Sequence, residues 1–320
     1  MEIKKEMNAE VQKYLEVAKE KYDKKQYQEA LENINKALAI EPENVDALVY
    51  RASTYVGMEK YEEGLVDAKK AVEIAPQNAN AWLWLGTSFF FNSDFEGASK
   101  AYERARELDP QNKDVYISRG VLRQKLSDFE GAYQDYLKAQ ELDPENKKIY
   151  TYLGSVKIFL NKHEEARIDF EKAAVEDTTN SGLWLMSALN NLHTNRIVEA
   201  QKDLEFALRL DPDFPLGWYL LGFIKFSRKN YQEAVEDFTK AIATIPKEQI
   251  TSDIWCARGV CYVHLRNFDK AYHDFNKAIE INPKDGRAYF MRAKVKEYQK
   301  DHKGAIIDFQ RAKELGYRVN

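Results

Sequence analysis

The stretch ANAWLWLGTSFFFNSDFEGASKAYERARELDPQN, residues 79–112, sets the plan of the chain. Within it Ala81, Trp82, Leu85, Ser88 and Phe89 recur at three- and four-residue spacing, which is one face of a helix. Ser93-Asp94 interrupts that pattern. A second helix is predicted from Phe95 to Leu108, with Phe95, Ala98, Tyr102, Ala105 and Leu108 along one stripe. Asp109-Pro110-Gln111-Asn112 closes the unit, because proline cannot continue a helix interior and pushes the residue before it out of the helical region. Asn112 is then placed to cap the helix that follows.

Outward from this stretch the plan repeats every 34 residues. Pro42, Pro76, Pro110 and Pro144 are followed by Thr178 in place of proline, then Pro212 and Pro246, with Pro283 37 residues later. Nine repeats result, at 11–44, 45–78, 79–112, 113–146, 147–180, 181–214, 215–248, 252–285 and 286–319. An N-terminal extension, 1–10, precedes them, and Gln249–Thr251 is inserted between the seventh and eighth. The capping Asn recurs as Asn44, Asn78, Asn146 and Asn180, and Asp285 replaces it later. Small residues hold fixed places: Ala18, Ala52, Gly86, Gly120, Gly154, Ala188, Gly222, Gly259 and Ala293 in the first helices, and an alanine series from Ala37 to Ala312 in the second. Helix axes approach closely only where side chains allow it, and a large residue at such sites overpacks. A stack of such units is one quasi-linear domain rather than several globular ones.

The sequence resembles the tetratricopeptide repeat family. Its signature of an aromatic, a Leu-Gly pair, a Tyr, an Ala, a Phe or Tyr, an Ala and a Pro falls on Trp82, Leu85-Gly86, Phe89, Ala98, Tyr102, Ala105 and Pro110 in the third repeat. In the seventh it falls on Trp218, Leu221-Gly222, Lys225, Ala234, Phe238, Ala241 and Pro246. The resemblance covers residues 11–319. It implies an all-α fold, an alpha-alpha superhelix of nine antiparallel helix pairs making about one superhelical turn. First helices would line its concave face and second helices its convex face. The sixth repeat departs most, with Ser187-Ala188 for Leu-Gly and Asn190-Asn191 where apolar residues are usual, which reads first as drift of the repeat and, as the alternative, as a local weakening.

Composition narrows the function. Of 320 residues 31% are charged and 12% aromatic, and the net charge is −4. Nothing in that balance points to nucleic acid. No run of 18 apolar residues suggests a membrane span, and MEIKKEMNAE carries no apolar core of a signal peptide, so a cytoplasmic setting is expected. Cys256 and Cys261 read as helix-lining thiols rather than a disulfide or metal pair. His163, His193, His264, His273 and His302 are scattered. No zinc-protease, CxxC or phosphate-loop signature occurs. The chain therefore reads as no enzyme, with no cofactor and no metal.

Subtracting the residues the repeat needs for stacking leaves a candidate site. Leu83, Trp84, Thr87, Phe90 and Phe91 remain on the other face of the third repeat's first helix, Leu189 in the sixth, and Tyr219, Phe223 and Phe226 in the seventh. Clustered exposed apolar and aromatic residues mark binding surfaces. The expectation is a protein-interaction scaffold that binds an extended or helical protein or peptide segment in the concave groove. The family's carboxylate clamp, which grips chaperone C-termini, needs Lys-Asn, Asn and Lys-Arg sets on successive first helices. Here the first pair of positions holds Leu15 and Lys19, Leu83 and Thr87, Ile117 and Val121, or Tyr219 and Phe223, which argues against clamp binding. The alternative is an assembly module acting through its ends or convex face, or the recruitment region of a larger protein. Solenoids need polar caps. Ile306 and Phe309 are expected to be partly exposed on the last helix, with Lys313 and Tyr317 softening that edge, so the end is covered by a continuation beyond Asn320, covered by a homodimer through the C-terminal end, or left as a short uncapped end that a monomer tolerates.

Overall fold

The computed structural model describes residues 2–175, 179–246 and 249–317. Two compact units divide it, residues 1–169 and 170–320. The first holds α1 (Glu2–Asp23), α2 (Tyr27–Ile40), α3 (Val45–Gly57), α4 (Tyr61–Ile74), α5 (Ala79–Phe91), α6 (Phe95–Leu108), α7 (Lys113–Lys125), α8 (Phe129–Leu142) and α9 (Lys148–Phe159). α10 (His163–Ala174) crosses the division. The second holds α11 (Ser181–His193), α12 (Ile197–Leu210), α13 (Pro215–Ser227), α14 (Tyr231–Thr244), α15 (Ser252–His264), α16 (Phe268–Ile281), α17 (Gly286–Tyr298) and α18 (His302–Glu314). The described residues are all-α and form nine antiparallel hairpins, as the repeat count requires.

Helix starts follow the sequence closely. The side chains of Asn44, Asn78 and Asn180 accept hydrogen bonds from the Ala47, Ala81 and Leu183 N–H groups, and Asp285 does so from Ala288. Each satisfies one of the orphan donors of a helix N-terminus. Asp94 and Asp128 cap the second helices α6 and α8 in the same way. Each hairpin turn is built on one left-handed residue: Lys25, Glu59, Ser93, Ser127, Asn161, Asn195, Lys229, Arg266 and Lys300, with φ between 56° and 65°. In the third repeat the Ser93 N–H donates to the Phe90 carbonyl at 3.0 Å and Asp94 N–H to Phe89 at 2.9 Å, which is a Schellman closure. The sequence marks this only as a break at Ser93-Asp94, since no glycine fills the left-handed position in any repeat.

Two devices recur between the helices of the hairpins. The first is steric. A Cβ added to Gly86 would sit 2.6 Å from the Tyr102 ring, and one on Gly222 would sit 2.7 Å from Phe238. Where alanine replaces that glycine, the facing position is Ile34 for Ala18, Ala68 for Ala52 and Leu204 for Ala188, while Ala293 still faces an aromatic, Phe309. The second device is electrostatic, and the sequence reading did not find it. Arg51 grips Asp67 through two hydrogen bonds of 2.6 and 2.8 Å, and Arg119–Asp135, Arg258–Asp274 and Arg292–Asp308 repeat that geometry sixteen residues apart. Lys157–Asp169 and Lys225–Asp237 supply the cation from one turn later. All six aspartates are buried, and buried carboxylates require such partners. The third repeat dispenses with the pair: Ala101, Leu85 and Phe89 occupy its places.

The irregular segments resolve differently. Residues 2–10 continue α1 rather than forming a separate element. The insertion lengthens a connection, since α14 ends at Thr244 and α15 begins at Ser252, so no helix end is extended. Thr178 lies outside the described residues. In the sixth repeat Asn190 and Asn191 are buried, and the Asn191 Nδ2 and Ser187 Oγ donate to Asp203 at 2.9 and 2.7 Å. That aspartate therefore has neutral partners where six others have cations. At the last hairpin Phe309 is half-buried against Phe290 with centroids 5.5 Å apart, and Tyr317 folds back onto the same ring at 5.1 Å. Phe309 is thus partly exposed, as expected, while Ile306 is 57% exposed.

Candidate functional site

In the first unit the first helices α3, α5 and α7 share a pocket of 450 Å³. Tyr50, Val49 and Asp46 come from α3, Asn80, Leu83, Trp84 and Thr87 from α5, and Asp114 and Ser118 from α7. Leu83 is only 6% exposed and belongs chiefly to the core with Tyr102 and Val115, so it forms the floor. Trp84 is half-buried, its ring packed beside Tyr50 against the core of the first repeats. Thr87 donates to the Leu83 carbonyl at 3.0 Å, turning its methyl-bearing side chain across the helix surface.

Phe90 and Phe91 do not join that pocket. Phe91 stacks on Tyr61 at the start of α4, rings 5.0 Å apart and 7° from parallel, and Phe90 stands edge-on to Phe91 and near Phe95. The same stack recurs thirty residues apart as Phe129–Phe159 and Phe268–Tyr298. These aromatics tie neighbouring hairpins together at the turn edge, and Phe91 remains 43% exposed there. Subtraction by repeat position could not separate this edge from the helix face, because it scores residues and not the partner each one meets.

In the second unit Phe223 and Phe226 of α13 line a pocket of 160 Å³ with Cys256, Ala257 and Val260 of α15 and Arg287 of α17. Phe223 is 39% exposed and stands edge-on to Tyr219 at 4.8 Å and to Phe238 at 5.2 Å. Tyr219 faces a neighbouring pocket of 390 Å³ instead, with Leu216, Ile245, Pro246, Gln249 and Thr251 around it. Leu189 is half-buried against the core of the sixth and seventh repeats and lines neither of these pockets. Arg287 at the pocket rim is held by Asp253, with Asp285 3.8 Å away. The buried Cys256 and Cys261 thiols are pushed up to about 12 by burial, reinforced at Cys256 by the charge of Asp285, which keeps both protonated at neutral pH. Among the described residues no three His, Cys, Asp or Glu side chains are placed to hold a metal ion, and no helix is long and apolar enough to cross a membrane.

Comparisons with known proteins agree with this geometry. Family models described as tetratricopeptide repeat match residues 51–113, 85–147, 186–248 and 252–285. A curated relative, the DnaJ homolog subfamily C member 7 homolog of Dictyostelium discoideum, is 30% identical over 91 residues, which is 28% of this chain and 17% of that protein. The chain thus spans about a sixth of that relative's length. Among solved structures, PilF of Pseudomonas aeruginosa superposes with a TM-score of 0.59 at 17% identity, covering 70% of this chain and 97% of PilF. A tetratricopeptide repeat protein from Parabacteroides merdae gives 0.53 at 18% identity, covering 78% and 98%. At such identities the likeness is one of fold. With the repeat models matching half of its residues and more, the chain belongs to the tetratricopeptide repeat family, an all-helical protein-interaction scaffold.

Proposed function

We propose that each unit binds a peptide segment of a partner protein on its own first-helix faces, with Trp84 anchoring in the first unit and, separately, Phe223 and Phe226 in the second. The observation that carries this reading is the Phe223–Phe226–Val260 pocket, whose walls are almost wholly apolar and where Phe223 remains 39% exposed although its ring also meets Phe238. An aromatic-walled recess of this kind accepts one apolar side chain of a ligand, and such anchors dominate binding energy. Leu83, Thr87 and Tyr219 would shape the surface around the anchors. Binding of the full chain to a library of short labelled peptides tests the reading. Phe223→Ala and Trp84→Ala are each expected to weaken the peptides that bind by about tenfold or more. Unchanged affinities in both variants would sink it.

Self-association is a second reading with its own observation. Ile306 and its neighbour Ile307 are 57% and 64% exposed on α18. If that face pairs two copies, Ile306→Glu with Ile307→Glu abolishes a dimer seen by light scattering. A wild-type chain that is monomeric throughout the concentration range removes this reading.

A further inference from the structure

The two first-helix pockets differ in chemistry, and that difference carries a specificity. We propose that the α3–α5–α7 pocket takes a basic side chain, lysine or arginine, of the bound peptide; this rests on the groove reading above. Asp46 and Asp114 stand at its rim on either side of Asn80, and Trp84 and Tyr50 wall it. Neither carboxylate has an ion-pair partner among the described residues, and no Lys or Arg lines the pocket. The nearby cations are committed elsewhere: Arg51 to Asp67, Arg119 to Asp135 and Glu103, and Lys113 to Asp143. Helix polarity does favour acids in a first turn. It does not demand them here, since the same position is Lys148 in α9, Leu216 in α13 and Arg287 in α17.

The tryptophan supplies the independent observation. Lys240 lies 4.1 Å from the centroid of Trp218, and Arg258 lies 4.8 Å from that of Trp255. These indoles already carry cations of the chain itself. No such cation of the described chain is placed over Trp84, which lines the pocket together with Asp46 and Asp114. An indole face and a carboxylate together attract a desolvating ammonium or guanidinium, and arginine most of all. The pocket therefore selects by charge, while the Phe223–Phe226 pocket selects by apolar fit.

The test uses the full chain, a library of short fluorescein-labelled peptides and anisotropy in low-salt buffer. Asp46→Asn with Asp114→Asn removes the charge at two exposed positions, and circular dichroism verifies that the double variant is folded. The expected result is that bound peptides carry Lys or Arg, and that exchanging this residue for norleucine weakens binding about tenfold in wild type but little in the double variant. Added salt is expected to erase the same difference. Peptides that bind equally well with norleucine, or a preference for Lys or Arg that survives in the double variant, overturn the inference while leaving the groove reading intact. Absence of any bound peptide, or binding indifferent to Trp84→Ala and Phe223→Ala, removes both.

Discussion

Asp203 is the residue whose replacement most directly tests the account of the hairpin interior. It occupies the position at which six other repeats hold an ion-paired aspartate, yet its donors are Ser187 Oγ and Asn191 Nδ2. Burial pushes its carboxyl above the usual carboxylate range; the two hydrogen bonds oppose this, and the charges of Glu199 and Glu171 add to it. A folded-state value above the unfolded one means the folded state holds the proton more tightly. Its contribution therefore disfavours folding at neutral pH, and the penalty is relieved as pH falls through the folded value toward the unfolded value near ~3.9. Asp203→Asn removes the charge, and its amide can donate to the Asn191 Oδ1, which is buried without a partner. One recovered hydrogen bond and one relieved desolvation set the gain at about 1–2 kcal/mol at pH 7. Ser187→Arg places a guanidinium where Arg51, Arg119, Arg258 and Arg292 stand, with Glu171 on its far side as Glu103 is for Arg119. It is expected to stabilise by a similar ~1–2 kcal/mol and to reverse the pH dependence, because a depressed carboxyl loses its stabilisation on acidification. Urea unfolding followed by circular dichroism at several pH values between neutral and ~4 reads both effects. A destabilised Asp203→Asn at pH 7, or a gain that does not shrink on acidification, would refute the reasoning.

Two further outcomes follow from the interior. Gly120→Ala would bring its Cβ to within 2.5 Å of the Tyr136 ring, and overpacking of this kind costs about 1–3 kcal/mol, seen as a lowered thermal midpoint. Gly120→Ala combined with Tyr136→Leu should recover part of that loss, since Ala188 already faces Leu204 in the sixth repeat. Cys256 and Cys261, with thiols held at about 12 by burial, are expected to resist a thiol reagent at neutral pH in the native chain and to react once it is unfolded in urea, as counted by mass spectrometry.

The repeat plan was legible because it depends on positions that tolerate few alternatives. Pro110, Gly86 and Ala105 are required by backbone geometry and close approach, so their spacing is visible in a single sequence. The ion pairs were not legible for a related reason. The cation that meets Asp67 comes from Arg51, sixteen residues earlier, whereas the one that meets Asp237 comes from Lys225, twelve earlier. Two geometries serving one purpose leave no fixed period to read. At the candidate site, Trp84, Phe223 and Phe226 line pockets. Phe91 does not, because its partner Tyr61 lies in the preceding repeat and its exposure alone resembles that of a binding residue. Asp46 and Asp114 escaped notice altogether: an acid in a first helical turn is so ordinary that only its neighbours give it meaning.

The stacked pair that ties neighbouring hairpins survives the three inserted residues. Tyr231 and His264, 33 positions apart instead of 30, still lie parallel with centroids 4.1 Å apart. The extra length was absorbed between helices α14 and α15, outside the left-handed turns. For a protein engineer this separates two kinds of loop. The three-residue turns inside a hairpin are a fixed gauge, whereas the connections between hairpins behave as slack, and an epitope or reporter grafted there leaves the stacking register of the flanking repeats where it was.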